Sequence, residues 1–174
     1  MAVTPNGRLL YVADFDNGTL LVVDCATLEV TKTLFVKGDG LPVGGNKRHL
    51  VVDAVRNRLY ATDMGRGSLF VLDLASDRLL KEIAVGAKPN TTKVSPDGRW
   101  IFVSTRGHNN AVDYEQKGPD FGSLVVIDAQ TLVPMARQFG GNQPTGLAVS
   151  PDGKTVVFSD FLDHRLEVYR FAPR

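Results

Sequence analysis

Cysteine is nearly missing: Cys25 is the one thiol in 174 residues, which excludes an internal disulfide framework and a Cys-rich zinc site. Long hydrophobic runs are missing too. Stretches such as Leu20-Leu21-Val22-Val23 fall far short of the roughly 18 residues that a membrane helix needs, so no membrane span is expected. Neither sign of charge dominates. Twenty Lys and Arg against 19 Asp and Glu leave a net charge of +1, so electrostatics gives no reason to expect nucleic acid or anionic lipid as a partner. No basic segment followed by an apolar one begins the chain, so no signal peptide is expected within it. No stretch keeps a 3.6-residue period for three turns, and helix is therefore not expected. What is present is an apolar share of 43% against 22% charged residues, which favours collapse over disorder.

The apolar residues are organised by a repeat. Four segments align: Val3 to Asp14, Val52 to Asp63, Val94 to Thr105 and Val149 to Asp160. The first three are followed by Gly18-Thr19-Leu20-Leu21-Val22-Val23-Asp24, Gly67-Ser68-Leu69-Phe70-Val71-Leu72-Asp73 and Gly122-Ser123-Leu124-Val125-Val126-Ile127-Asp128; the fourth by Arg165-Leu166-Glu167-Val168-Tyr169-Arg170. The leading valines lie 49, 42 and 55 residues apart. These offsets resolve into one 42-residue unit with insertions of 7 residues before Val52 and 13 before Asp128. A period of about 42 residues built from short strands is the size of one four-stranded propeller blade.

Turn chemistry agrees. Ser95-Pro96-Asp97-Gly98 and Ser150-Pro151-Asp152-Gly153 carry the residues a type I turn favours. Thr4-Pro5-Asn6-Gly7 is a close variant, whereas Ala54-Val55-Arg56-Asn57 has lost the pattern. Asp16-Asn17-Gly18 reads as a hairpin turn. Each blade is therefore expected to run strand A, turn, strand B, hairpin, strand C, turn, strand D. Strand C is apolar on both faces, as befits a sheet between two neighbours. The expected fold is an all-β propeller of four-stranded antiparallel blades, with about 3.75 blades in repeats near 1–40, 41–88, 89–143 and 144–174.

Tyr11-Val12-Ala13-Asp14, Tyr60-Ala61-Thr62-Asp63, Phe102-Val103-Ser104-Thr105 and Val157-Phe158-Ser159-Asp160 resemble the Tyr-Val-Thr-Asn motif of YVTN-repeat β-propellers. The Ser-Pro-Asp-Gly turns and the Pro144-Thr145-Gly146-Leu147 entry are similar to that repeat as well. The resemblance implies a protein of the periplasm or cell surface that binds a small molecule or another protein. Propellers of this type close their last blade with an N-terminal strand. Most of the first strand A and the last strand D are missing here, so the chain is expected to be the C-terminal part of a longer, seven-bladed protein. Its open blade edges would then favour self-association.

Because strands alternate in direction, the B–C and D–A connections share one end of each blade, and both insertions fall there. One is Val36 to Gly45; the other, Arg106 to Phe121, is the most polar stretch of the chain. Loops on a rigid scaffold are where binding residues tend to sit. Candidate ligand-binding residues are Arg106, His108, Asn109 and Asn110 in the long hairpin, and Arg48, His49, Asn90 and Thr145 at the starts of the A strands, the mouth of the expected channel. Arg48 and His49 suit an anion or a carboxylate. The same residues also serve as caps for polar backbone, and the hairpin also reads as a plain solvated insertion. Asp14, Asp63 and Asp160 recur at B-strand ends. Recurrence favours turn capping over a cation-binding ring.

No catalytic residue, metal site or cofactor is expected. His49, His108 and His164 come from different repeats, and Gly-x-Ser-x-Gly, Cys-x-x-Cys-His and His-x-x-x-His are all missing. A non-catalytic binding scaffold is the leading expectation. Lactonase-type propellers, which resemble this repeat too, imply an alternative that uses Arg and His at the channel mouth. Redox-associated propellers imply a weaker one.

Overall fold

The computed structural model describes residues 1–36 and 45–172. The greater part of the 7-residue insertion therefore lies outside the described residues. Every regular element among the described residues is a strand. The chain divides into two compact units, Met1–Ala84 and Val85–Arg174, and each holds two sheets.

In the first unit, β1 (Ala2–Val3), β2 (Leu9–Asp14), β3 (Thr19–Asp24) and β4 (Val30–Leu34) form one antiparallel sheet. The strands β5 (Lys47–Asp53), β6 (Arg58–Asp63), β7 (Ser68–Asp73) and β8 (Leu79–Ala84) form the other. In the second unit, β9 (Pro89–Val94), β10 (Trp100–Thr105), β11 (Ser123–Asp128) and β12 (Val133–Phe139) form a third sheet. A three-stranded sheet follows, of β13 (Pro144–Val149), β14 (Thr155–Asp160) and β15 (Arg165–Arg170). Sequence order equals spatial order throughout, as the repeat requires.

The turns are built as their residues dictate. Gly98 N–H donates to Ser95 O at 2.8 Å and Gly153 N–H to Ser150 O at 2.9 Å. The Ser95 and Ser150 hydroxyls accept the N–H of Trp100 and Thr155, each at 2.9 Å. Gly98 and Gly153 hold φ of 72° and 71°, where a side chain would be strained. The second sheet makes its turn without this sequence, with Asn57 at φ 53°, because Asn tolerates the left-handed region. Cys25, Leu74 and Ala129 donate their N–H to Arg8 O, Asn57 O and Arg99 O. This clasps each C–D turn to the A–B turn of its own sheet, at the end expected for both.

Each unit has its own core. In the first, Tyr11, Leu20 and Val22 meet Leu50, Leu59, Phe70 and Leu72. The Tyr11 hydroxyl donates to Asp77 at 2.7 Å; burial, helped by this bond, holds its pKa above the usual phenol range. In the second, Trp100, Phe102, Leu124 and Val126 meet Leu147, Val156 and Phe158. β7 and β11 are buried along nearly their whole length, which accounts for their unbroken apolar runs. Burying such side chains contributes about 1.5–3 kcal/mol each. β15 is the outer strand of its sheet, and its Leu166 and Val168 are exposed.

Candidate functional site

Three A strands share one irregularity at their starts. In the second sheet Lys47 pairs with Asp63 and Leu50 with Ala61, so Arg48 and His49 together oppose the single residue Thr62. In the third, Pro89 pairs with Thr105 and Thr92 with Val103, so Asn90 and Thr91 oppose Ser104. In the fourth, Pro144 pairs with Asp160 and Leu147 with Phe158, so Thr145 and Gly146 oppose Ser159. Each is a β-bulge, a device that bends a strand and re-aims its side chains. Arg48, His49, Asn90 and Thr145, chosen from sequence, are bulge residues in every case.

In the first unit the bulge rests on a buried ion pair. Lys47 and Asp63 have no exposed side-chain surface, and Nζ lies 2.5 Å from Oδ2. The ammonium also sits 4.5 Å from the centre of the Phe70 ring. Asp63 Oδ1 accepts the N–H of Asn46 at 2.9 Å and of Arg66 at 3.0 Å. The carboxylate therefore ties the start of β5 to the β6–β7 hairpin. Gly45 is packed against it so closely that a Cβ would stand 2.2 Å from Asp63 Oδ2. Beyond the pair, Arg48 is exposed with its guanidinium 5.8 Å from the Phe15 ring, and His49 is half-buried.

In the second unit Asn90 is buried, while Thr91 and Thr145 are half-buried. The long hairpin, residues 106–122, leaves from the same place. Arg106 N–H donates to Lys88 O at 3.0 Å. The segment then folds on itself. His108 places its N–H and Nδ1 on the Asp120 carboxylate at 2.8 and 3.0 Å. Asn110 accepts the N–H of Val112 at 2.9 Å and donates to Lys117 O at 3.2 Å. Asn109 is half-buried within the same fold.

Two contacts strap the hairpin to the fourth sheet. The buried Gln143 amide donates to Tyr114 O at 2.7 Å, and Lys117 Nζ lies 2.7 Å from Asp163. Lys117, with help from the Asn142 N–H, pulls the Asp163 pKa down to about 2. The ionic contact is thus complete above the ordinary carboxylate range near 4 and is lost as pH falls through about 2. Because the Lys117 side chain is largely exposed, the contact is worth at most about 1 kcal/mol. Lys117→Ala should speed chymotryptic cleavage within the hairpin about two- to fivefold at neutral pH. An unchanged rate would mean that Gln143 alone holds the strap.

Two of the three recurrent B-strand carboxylates, Asp14 and Asp63, cap turn amides. Asp14 accepts the N–H of Asn17 at 3.2 Å and its side-chain amide at 2.8 Å, and these bonds lower its pKa. Asp63 caps Arg66 as described. Asp160 instead takes Arg165 Nε at 3.1 Å. Burial pushes the Asp160 carboxyl up, against the pull of Arg165. Glu167, held down first by the Tyr169 hydroxyl, shares the same guanidinium at 2.6 Å. Among the described residues, no three His, Cys, Asp or Glu side chains gather as ligands for a metal ion, and no helix is long and apolar enough to cross a membrane.

Residues that sequence reasoning passed over are Lys47, Gln143, Lys117, Asp163 and the three hydroxyl residues opposite the bulges. One signal was available for Lys47. It stands where the third and fourth repeats have Pro89 and Pro144, and a charged residue at a proline position calls for a partner.

A family model described as "SMP-30/Gluconolactonase/LRE-like region" matches residues 7–174. Antigen Lp49 of Leptospira interrogans is 38% identical over 178 residues, covering 98% of this chain and 38% of the relative. Protein NirF of Pseudomonas aeruginosa is 24% identical over 131 residues, covering 72% of this chain and 33% of the relative. The hydrazine synthase of Kuenenia stuttgartiensis superposes with a TM-score of 0.73 over 98% of this chain and 48% of that one, at 23% identity. That likeness is one of fold. The chain therefore spans well under half the length of the curated relatives it matches. A propeller fold of four-stranded antiparallel blades, about 3.75 of them, accommodates all four sheets. The family matched is a related propeller kind to the YVTN repeat, and the chain belongs to the SMP-30/gluconolactonase/LRE-like family.

Proposed function

We propose that this chain is the binding part of a non-catalytic propeller, in which each unit offers ligand contacts at the bulged starts of its own A strands. The observation that carries the reading is the bulge itself, placed at Arg48-His49, Asn90-Thr91 and Thr145-Gly146. The bulge re-aims the two residues that it holds, and bulges are over-represented beside binding and active sites. Arg48 offers a guanidinium fork for a carboxylate or another anion. Asn90 and Thr145 offer neutral hydrogen-bonding groups, and the 106–122 hairpin starts beside them through Arg106. Hydrolysis is less well supported. The nearest carboxylate on the neighbouring strand is Asp63, the register partner of Lys47, which is buried and commits its oxygens to Lys47, Asn46 and Arg66. A general base needs a carboxylate or imidazole within reach of the substrate, and with Asp63 committed that role would fall to His49 alone.

The periplasm or cell surface is the proposed location, supported by the relative named as an antigen. Arg48→Ala should weaken binding of an anionic ligand about tenfold or more, the worth of one charge-assisted contact. Titration against a set of small carboxylates and sugar acids measures it. Equal affinity in the variant would remove Arg48 from the binding reading. The family description favours one second reading, a lactone hydrolase. Hydrolysis of a sugar lactone by the protein, lost in Arg48→Ala or His49→Ala, would replace the binding reading.

A further inference from the structure

The residue opposite each bulge carries a hydroxyl, and that hydroxyl does the same thing three times. Thr62 Oγ1 accepts the N–H of His49 at 3.0 Å. Ser104 Oγ accepts the N–H of Thr91 at 3.2 Å. Ser159 Oγ accepts the N–H of Gly146 at 2.9 Å. In each sheet the amide belongs to the second bulge residue, at the point where the ladder register shifts. A bulge leaves one backbone group without its ladder partner, and such a group must be satisfied by other means. Ser and Thr carry the hydroxyl close enough to the backbone to stand in for the missing carbonyl. In the first sheet the position is Ala13. There β1 pairs only with Leu10 and Tyr11, and no described residue opposes Ala13 from the A side.

We infer that Thr62 in the first unit, and Ser104 and Ser159 in the second, are positioning residues for the binding contacts of their own unit: each hydroxyl holds its A strand in the bulged register and so sets the direction of Arg48-His49, Asn90-Thr91 and Thr145-Gly146, respectively. Without the hydroxyl, the amide of the second bulge residue loses its partner and the bulge is no longer held in one direction. The residue type is therefore specified by the neighbouring strand rather than by burial, since Ala or Val would fill the same space.

Ser104 has a second task. Its hydroxyl can donate to Thr145 O at 3.3 Å, and Thr91 Oγ1 donates to the same carbonyl at 2.6 Å. Within the second unit, the bulge of β9 is thereby tied to the bulge of β13. A ligand held by Asn90 or Thr91 would meet a surface already fixed against Thr145.

The inference rests on the A-strand starts being the binding surface, but its test needs no ligand, so the two fail separately. Amide hydrogen exchange is followed on the full chain and on Ser104→Ala, Ser104→Thr and Thr62→Ala. In Ser104→Ala the Thr91 amide should exchange about tenfold faster, the equivalent of one lost hydrogen bond, while Ile101 and Phe102 keep their protection. The Thr145 carbonyl carbon should shift in the same variant. Ser104→Thr should restore both. Thr62→Ala should release His49 in the same way, giving a second reading if Ser104→Ala folds poorly. Unchanged exchange at Thr91 and His49, or a Ser104→Thr variant that behaves as Ser104→Ala, would overturn the assignment.

Discussion

Replacing Lys47 by methionine should destabilise the first unit by about 3–5 kcal/mol, the cost of leaving a buried charge without its partner. The pair is fully enclosed, with the ammonium between the Asp63 carboxylate and the Phe70 ring. Methionine fills the space of the lysine stem but supplies no charge, so the buried Asp63 loses its ammonium partner. Two backbone N–H groups would still reach it, and they do not replace a cation. The double variant Lys47→Met with Asp63→Asn should recover most of the loss, because the neutral amide still accepts from Asn46 and Arg66. Urea unfolding followed by far-ultraviolet circular dichroism measures both. Fluorescence is the wrong probe here, since Trp100, the one tryptophan, lies in the second unit. A Lys47→Met variant within about 1 kcal/mol of the parent would mean that water reaches Asp63.

Gly122→Ala should cost the second unit about 3 kcal/mol, the upper end of the usual range for overpacking. A Cβ at Gly122 would stand 2.1 Å from Thr105 O and 2.2 Å from Pro144 Cδ. One obstacle is backbone and the other is a ring, so neither can swing aside. Gly122 also donates to Gly141 O and accepts from Gly140 N–H, at 2.9 and 3.0 Å, which holds it in place. The clash pushes on the residue that begins β13, so the Thr145-Gly146 bulge should loosen along with the global loss. Trp100 fluorescence reports the stability change, and exchange at Gly146 reports the local one. A loss under about 1 kcal/mol would show that the hairpin backbone yields instead.

That glycine also shows how far the repeat could be read. Gly18, Gly67 and Gly122 are one repeat position. Gly18 and Gly67 are required for conformation, at φ 67° and 68° in tight hairpins. Gly122 is required for space, because the 13-residue insertion replaces the tight hairpin and brings the chain back against Pro144. The repeat locates the residue but does not distinguish the two reasons. The same holds for the bulges. Arg48, His49, Asn90 and Thr145 were legible as A-strand starts from repeat spacing and residue polarity. That each belongs to a two-against-one bulge was not, because register depends on which residues of the neighbouring strand they meet. The Thr or Ser in the third place of the last three B-strand motifs was visible as a letter, without a task until the opposing amide was located.

The sequence by itself determined the strand order, the 42-residue unit, the turn types and the apolar C strands. All of these follow from local propensity and alternation, which a single strand and its turn express alone. It also determined where the insertions enter. Only the tertiary structure decided what the polar residues do. Lys47 became a buried partner of Asp63 across two strands. Asp163 became the anchor for a hairpin more than 40 residues before it. Hydrogen bonds and ion pairs are directional and short-ranged, so their partners are set by register and packing between segments distant in the chain.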